Sequence, residues 1–277
     1  MRKTILITGA SSGLGAEMSR QFAARGHDLA LCARRTEKLE ALRAEIHAAS
    51  PGARVEIRAL DVTDDDAVFE VFGGFQADFG TIDRVIINAG LGKGAPLGTG
   101  RYDANRETAM TNFVAALAQS EAAMEIFRAQ NAGHFVMISS MSAVRGMPKT
   151  LTTYAATKAG VAHLAEGLRA ELHGKPIKVT VLYPGYIRSE MNEKVQQSTP
   201  LMASTEKGVK ADGRRHREGE GLRVRARLSL GSARRGDEAR PDAVVQEADL
   251  TTKELSSPGT ASSASAIATG SGMSNAR

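Results

Sequence analysis

Residues 4–15 read TILITGASSGLG, and this stretch decides the fold. Its first five residues form a short run of apolar and β-branched side chains, which predicts a buried strand. Glycines follow at Gly9, Gly13 and Gly15, where an amphipathic segment begins. Glycine lets a backbone turn sharply and approach a pyrophosphate, and the N-terminus of a helix offers free N–H donors to the same anion. The stretch therefore predicts a strand, turn and helix that bind a dinucleotide.

The alternation of strand and helix continues along most of the chain. Further short apolar runs predict strands at 29–33, 55–60, 84–87, 134–139 and 178–183. Helical spacing of apolar residues predicts helices at 15–25, 36–49, 65–79, 105–130 and 154–173. This order is typical of βαβ units. We therefore expect an α/β domain of the Rossmann type, in which helices cover both faces of a doubly wound parallel sheet in three layers.

Bulk composition indicates a soluble globular chain, with 42% hydrophobic and 24% charged residues. Cys32 is the single cysteine, so an internal disulfide is impossible and a reducing compartment is expected. The histidines lack metal-ligand spacing, with one another or with Cys32, so we expect no metal site. Glycines interrupt the N-terminal apolar run before it reaches the length of a signal-peptide core, and no apolar run approaches the roughly 18 residues of a membrane span. We predict a cytoplasmic protein without a membrane span.

Two arginines, Arg34 and Arg35, follow the predicted second strand. A carboxylate at this position would bind the ribose hydroxyls of NAD, whereas guanidinium groups suit the 2′-phosphate of NADP. We therefore predict NADP(H) as the cofactor in preference to NAD(H). The alternative is that both arginines are solvated and simply begin a helix.

Residues 154–158 read YAATK, which places Tyr154 and Lys158 one turn apart on the same face of a predicted helix. An ammonium beside a phenol favours the phenolate, so the tyrosine can exchange a proton with an alcohol or carbonyl oxygen. In isolation, such a pair is more often a surface pair than a catalytic one. Here Ser139 and Ser140 end the preceding predicted strand and Asn112 lies on the long helix before it. This context favours a catalytic site.

The motif TGxxxGxG, at residues 8–15, resembles the glycine-rich motif of the short-chain dehydrogenase/reductase family. Further family features follow in the expected order, at residues 61–62, 88–90 and 184–187, and the resemblance covers about residues 1–210. It implies that the cofactor contacts Gly9, Ser11, Ser12, Gly13, Leu14, Gly15, Arg34, Arg35, Asp61, Val62, Asn88, Ala89, Gly90, Tyr154, Lys158, Pro184, Gly185 and Ile187.

The resemblance also implies a role for each part of the cofactor site. Asp61 and Val62 would flank the adenine, and residues 88–90 would support the sheet beside the cofactor. Ile187 would meet the nicotinamide carboxamide. Ser189 stands where the family usually has Thr, which preserves the hydroxyl.

Four residues receive catalytic roles from the same resemblance. Ser140 would hydrogen-bond the substrate oxygen, and Tyr154 would act as the acid or base. Lys158 would assist the tyrosine and also hold the nicotinamide ribose. Asn112 would help to position a water molecule in a proton relay.

The spacing between serine and tyrosine departs from the family pattern. Ser140 lies 14 residues before Tyr154, one more than the commonest spacing, so Ser139 is a possible substitute. The distance from Ser140 to Gly146 matches the family pattern, which favours Ser140 and places the extra residue at 149–153.

These assignments imply an oxidoreductase that transfers a hydride between NADP(H) and a carbonyl or secondary alcohol of a small molecule. A ketone, a keto-lipid or another aliphatic carbonyl is the expected substrate, and apolar residues between 191 and 202 favour a lipid-like one. Family members commonly form dimers or tetramers through the long helices, here 105–130 and 154–173. A homodimer or homotetramer is therefore expected.

Composition changes abruptly after residue 211. Residues 212–227 are rich in Arg and Gly, and residues 256–277 in Ser, Ala, Gly and Thr, with too few bulky apolar side chains to offset the entropy of ordering. No aromatic residue stands among the arginines to stack on bases. We predict a dinucleotide-binding and catalytic domain at 1–211, a disordered tail at 212–277, and no nucleic-acid partner.

The tail has the pattern of a shifted reading frame. Members of the resembled family use this region for a substrate-covering loop, a seventh strand and a final helix. One permitted back-translation of residues 212–227, read one nucleotide forward, encodes MVAAIEKEKGFAYVP, which has the pattern of an amphipathic helix followed by an apolar strand. A genuinely divergent tail is the alternative. A shifted frame would remove the normal seventh strand and leave, as the alternative function, a folded NADP(H)-binding remnant without turnover.

Overall fold

The computed structural model describes residues 3–185, which form an alternating series of strands and helices. The strands are β1 (Thr4–Thr8), β2 (Asp28–Ala33), β3 (Val55–Ala59), β4 (Arg84–Ile87), β5 (Gly133–Ile138) and β6 (Ile177–Leu182). The helices are α1 (Gly13–Ala24), α2 (Thr36–Ala49), α3 (Asp65–Phe79), α4 (Tyr102–Ala109), α5 (Ala115–Gln130) and α6 (Thr152–Glu171). None of these helices combines the length and the apolar character that crossing a membrane requires.

The six described strands are all parallel, in the spatial order β3, β2, β1, β4, β5, β6. The chain winds outward from β1 in one direction and from β4 in the other, so the loops after these two neighbours diverge. A crevice opens at this point beyond the carboxyl ends of the strands, which is where such sheets bind ligands. The predicted doubly wound parallel sheet is confirmed. The expectation about a seventh strand concerns residues outside the described range.

Strand residues pack alternately against helices on the two faces of the sheet. Leu6, Val85 and Phe135 pack with residues of α3, α5 and α6 on one face. Their neighbours in sequence, Ile7 and Val136 among them, pack with residues of α1 and α2 on the other. Because successive side chains of a strand point to opposite faces, a strand covered on both sides is apolar throughout. The predicted three-layer arrangement follows from this burial.

The helix predicted at 105–130 is present with two differences. It begins at Tyr102, and a π-helical turn at Met110–Val114 separates α4 from α5. A π turn places one extra residue in the helix, and such turns are frequent at functional sites. Asn112 lies within this turn, and its side chain is buried.

Candidate active site

The glycine-rich turn after β1 needs glycine for two separate reasons. Gly9 and Gly13 have φ angles of 64° and 56°, in the left-handed region that disfavours a side chain. At Gly15 the reason is close packing, because a β-carbon there would collide with the carbonyl oxygen of Gly9 and lie 2.7 Å from Nδ2 of Asn88. The turn therefore brings its backbone close to the end of β4, and Gly13 and Leu14, at the start of α1, line the crevice.

Asn88 and Thr8 tie the ends of β4 and β1 together at the crevice. The Asn88 Nδ2 group donates to the carbonyl oxygens of Thr8 and Gly9, at 2.9 and 3.2 Å. The Thr8 hydroxyl oxygen accepts from the backbone N–H groups of Asn88 and Ala89, each at 3.1 Å. These bonds fix the turn against the neighbouring strand.

A pocket of about 250 Å³ lies along this crevice. The predicted site residues that line it are Gly9, Ser11, Ser12, Gly13, Leu14, Arg34, Arg35, Asp61, Val62, Asn88, Ala89, Gly90, Ser140, Tyr154, Lys158 and Pro184. Gly15 and Asn112 are buried and lie outside this lining, as does Gly185. Ile187 and Ser189 lie outside the described residues.

Ser139, the alternative to Ser140, also lines the pocket, and five further lining residues were absent from the sequence prediction, namely Ala33, Leu60, Leu91, Thr111 and Ile138. Most of them adjoin a predicted residue at the end of a strand. The rule that ligands bind beyond the carboxyl ends of parallel strands would have included them. Thr111 is different, because the π turn that directs it to the pocket leaves no clear trace in the sequence.

The two arginines after β2 make different contacts. The Arg35 Nη2 group donates to the hydroxyl oxygens of Ser12 and Ser11, at 2.8 and 3.3 Å, so its guanidinium lies against the glycine-rich turn. Arg34 is more exposed, and its Nη1 lies 3.9 Å from Oδ2 of Asp61. Burial raises the pKa of the Asp61 carboxyl, but hydrogen bonds from Thr63 and the charge of Arg34 outweigh it, and the pKa lies below its ordinary value.

The two serines after β5 have different hydroxyl partners. The Ser139 hydroxyl is buried and donates to the carbonyl oxygen of Lys158 at 2.7 Å. The Ser140 hydroxyl accepts from the Ser142 backbone N–H and donates to the Ser142 hydroxyl, both at 3.1 Å, at the start of a 3-10 turn. Ser139 therefore binds the backbone of α6, whereas Ser140 bonds locally to another hydroxyl that can reorient.

Tyr154 and Lys158 lie on α6 and both line the pocket. The Lys158 side chain is only 6% exposed, and its ammonium donates to the carbonyl oxygen of Ile138 at 2.9 Å. Burial lowers the pKa of Lys158 to about 8. A β-carbon at Gly90 would lie 3.5 Å from this ammonium and only 3.2 Å from Oδ1 of Asn112, so the loop after β4 packs closely against both side chains.

Asn112 lies behind the pocket and uses its amide to hold the loop after β4. Its Oδ1 accepts from the Leu91 N–H at 2.7 Å, and its Nδ2 donates to the Leu91 carbonyl oxygen at 2.9 Å. Nδ2 also lies 3.3 Å from the hydroxyl oxygen of Thr157, which itself donates to the carbonyl oxygen of Tyr154. Asn112 thus connects the loop after β4 to the turn of α6 between Tyr154 and Lys158.

The pocket therefore combines an anion-binding turn at one end with hydroxyl, phenol and ammonium groups at the other. No group of three or more His, Cys, Asp or Glu side chains within residues 3–185 is arranged to hold a metal ion. Residues 3–200 match the family model described as short chain dehydrogenase. The chain belongs to the short-chain dehydrogenase family.

Relatives of this short-chain dehydrogenase span several activities. An uncharacterized oxidoreductase of Mycobacterium tuberculosis is 54% identical over 210 residues, which cover 76% of this chain and 83% of that protein. An NADPH-dependent 3-quinuclidinone reductase of Rhodotorula rubra is 25% identical, with a TM-score of 0.69 over 80% of this chain and 89% of that one. An NAD⁺-bound xylitol dehydrogenase is 28% identical, with a TM-score of 0.63 over 67% of this chain and 71% of that one.

This short-chain dehydrogenase is therefore an oxidoreductase with a Rossmann-like fold. The family match ends at residue 200, before the change of composition at residue 212. Since the two solved structures name different nicotinamide cofactors, the choice of cofactor has to be argued from the pocket of this chain.

Proposed function

We propose that this short-chain dehydrogenase transfers a hydride between NADP(H) and a carbonyl or secondary alcohol of a small molecule, with Tyr154 as the general acid or base. The observation that supports this most directly is that one and the same pocket is lined by the glycine-rich turn and by Ser140, Tyr154 and Lys158. A dinucleotide bound along it would extend from the anion-binding turn to the proton-transfer groups.

The residues at the first end of the pocket fit the nucleotide. The backbone at Gly9 and Gly13 and the free N–H groups at the start of α1 suit a pyrophosphate, and Gly15 lets the turn pack closely. By family resemblance, Asp61 and Val62 lie beside the adenine and residues 88–90 support the nicotinamide side. The bound nicotinamide supplies the redox chemistry, since no protein side chain transfers a hydride in this way.

Two guanidinium groups after β2 support a preference for NADP(H). Arg34 and Arg35 both line the pocket, and no carboxylate directly follows β2 to bind the ribose hydroxyls. A 2′-phosphate placed there would form charge-assisted hydrogen bonds with the planar guanidinium forks. Asp61 also lines the pocket, and its Oδ2 lies 3.9 Å from Nη1 of Arg34, so the two exposed side chains lie at the same end of the pocket.

The second end of the pocket supports proton transfer. In the reducing direction, the Tyr154 hydroxyl gives its proton to the carbonyl oxygen of the substrate, while the Ser140 hydroxyl hydrogen-bonds that oxygen. The Lys158 ammonium, one helical turn away, favours the resulting phenolate. Asn112 holds the loop beside these groups, and the water relay that the family resemblance implies would return the proton.

The side chains that follow Ser140 support an apolar substrate. Met141 and Val144 lie on the 3-10 turn directly after the serine, just outside the pocket lining, and are exposed, the second to 70%. Apolar side chains beside a polar reacting group favour an aliphatic ketone or keto-lipid over a charged substrate. The reaction class does not depend on this choice.

We also propose a cytoplasmic homodimer or homotetramer. The π turn and α5 expose Phe113, Val114 and Leu117 in consecutive turns, which forms an apolar surface. Light scattering of the full chain and of the Leu117→Glu variant tests this assembly, and the variant should have the lower molar mass. A parent chain that is monomeric would contradict the proposal.

Two measurements test the function. NADPH fluorescence reports cofactor binding, and NADPH oxidation with a panel of ketones reports turnover. We expect both in the parent chain, and we expect Tyr154→Phe to keep cofactor binding while kcat falls by about 10²-fold or more.

The second candidate, a cofactor-binding remnant, is motivated by the composition of residues 212–277, which lie beyond the family match. NADPH binding without turnover of any ketone would favour the remnant.

A further inference from the structure

A buried polar network lies behind the pocket, on one face of α4 and the π turn. Its members are Asn105, Thr108 and Asn112, which are at most 8% exposed. Their spacing of three and four residues places them on the same helical face. All three bind the backbone of residues 91–95, between β4 and α4, which we call the wall segment.

The network holds alternate residues of the wall segment. The bonds join Asn112 to Leu91, Thr108 to Lys93, and Asn105 to Ala95. Asn105 makes two of them, since its Oδ1 accepts from the Ala95 N–H and its Nδ2 donates to the Ala95 carbonyl oxygen, each at 3.1 Å. The backbone of Ala95, itself buried, is thereby fully satisfied.

Asn105 has one further partner, on α6. Its Oδ1 accepts from the Thr153 hydroxyl at 3.1 Å. Thr153 lies in the first turn of α6 and directly precedes Tyr154. One amide oxygen therefore joins the wall segment to the turn of helix that presents the proposed acid or base.

The loop at residues 149–151, directly before α6, has a strained backbone that contacts with neighbouring segments must hold in place. Lys149 has a φ of 61°, in the left-handed region that is unfavourable for a residue with a β-carbon. Strain of this kind persists only when surrounding contacts fix the backbone. Gly94 of the wall segment supplies one contact, because its α-carbon lies so close to Thr150 that a β-carbon would collide with the Thr150 carbonyl oxygen.

We propose that Asn105 is a positioning residue, which clamps the wall segment to the first turn of α6 through Ala95 and Thr153 and so sets the place of Tyr154 in the pocket. Leu91, at the start of the wall segment, and Tyr154 line the pocket together, so a shift between the two segments changes the space where the substrate reacts. The existence of the clamp does not depend on the proposed function. Only the effect of the clamp on turnover rests on that proposed function.

Three variants separate the clamp from general stability. Thr153→Val keeps the shape of the side chain and removes its hydroxyl, so Asn105 loses the link to α6. Thr153→Ser keeps the hydroxyl and should restore the parent behaviour. Thr99→Val is the matched control. It removes the hydroxyl that donates to the Pro96 carbonyl oxygen at 2.8 Å, and this hydrogen bond lies outside the wall segment.

Backbone hydrogen exchange of the full chain tests the clamp without any assay of turnover. In Thr153→Val we expect exchange to rise about fivefold in peptides covering residues 91–95 and also in those covering 149–154, as expected for the loss of one hydrogen bond that both segments share. Thr153→Ser and Thr99→Val should match the parent chain in both. Faster exchange at 149–154 alone, with residues 91–95 unchanged, would overturn the clamp.

Turnover tests the positioning role. With NADPH and a ketone that the parent chain reduces, we expect Thr153→Val to lower kcat about tenfold with the KM for NADPH unchanged, because the clamp aligns the reacting group and does not bind the nucleotide. An unchanged kcat together with coupled exchange would overturn the positioning role. Coupled exchange in a parent chain that reduces no ketone would leave the clamp in place and contradict the proposed function instead.

Discussion

The ammonium nitrogen of Lys158 donates a hydrogen bond to the carbonyl oxygen of Ile138, at 2.9 Å, and thereby connects α6 to the end of β5. The side chain is 6% exposed, and burial lowers its pKa to about 8. Below that pH the folded chain holds a buried positive charge that water would solvate better. The buried ammonium therefore destabilises the folded chain, while it places a cation beside the proposed acid or base.

This relationship predicts that Lys158→Met is inactive and more stable near pH 7. The pKa of lysine in an unfolded chain is near 10.5, so between pH 8 and 10.5 the unfolded chain binds more protons than the folded one. Stability of the parent chain gains from this group as pH rises through that window. The advantage of Lys158→Met in urea unfolding should therefore be greatest at pH 7 and shrink towards pH 10.5. An advantage that does not change with pH would contradict the lowered pKa.

The serines after β5 should separate chemistry from stability. Ser140→Ala removes the hydroxyl that we assign to the substrate oxygen, and kcat should fall by about 10²-fold or more. Ser139→Ala removes the bond to the Lys158 carbonyl oxygen and should cost about 1–2 kcal/mol of unfolding free energy, with a much smaller loss of kcat. Steady-state kinetics and urea unfolding of both variants provide the comparison. The reverse pattern would transfer the catalytic role to Ser139.

Sequence spacing alone did not decide which of these two serines has the catalytic role, and the reason is physical. Both follow the same strand, and nothing in the local pattern shows that one hydroxyl turns towards the backbone of Lys158 on α6, 19 residues further along the chain. By contrast, the glycine-rich turn was predictable, because its backbone geometry can be adopted by few residues other than glycine. The strands were predictable for a similar reason, since burial on both faces requires continuous apolar runs.

The clamp at Asn105 was not predicted from the sequence, because its two ends lie far apart in the chain. Asn105 and Thr153 are 48 residues apart, and each is an ordinary polar residue at or directly before the start of a predicted helix. A signal did exist, because Asn105, Thr108 and Asn112 place polar side chains on one helical face. Such a face reads as solvated unless the chain that covers it is known, and the covering wall segment has no regular secondary structure.

The arginines after β2 should control the choice of cofactor. Arg34→Ala and Arg35→Ala should each weaken NADPH binding by about 10- to 100-fold, because each loses charge-assisted hydrogen bonds to the 2′-phosphate, while NADH binding changes little. Arg43→Ala is the matched control, since this residue lies on α2 and pairs with Glu40 away from the pocket lining. Fluorescence titration with both cofactors measures the effect. Equal losses for NADPH and NADH would contradict a role in phosphate recognition.

Residues 212–277 offer a prediction at the level of the gene. If the reading frame is shifted, sequencing through roughly codons 205–215 and beyond should find that the frame one nucleotide forward stays open and encodes a segment close to MVAAIEKEKGFAYVP, an amphipathic helix followed by an apolar strand. That frame would supply apolar side chains of the kind that the tail lacks. Expression of the chain in that frame should then raise both the unfolding temperature and the NADPH-dependent turnover, because additional apolar surface is buried beside the substrate region. Early stop codons in the neighbouring frame, or an open frame without an apolar pattern, would show instead that the tail has diverged.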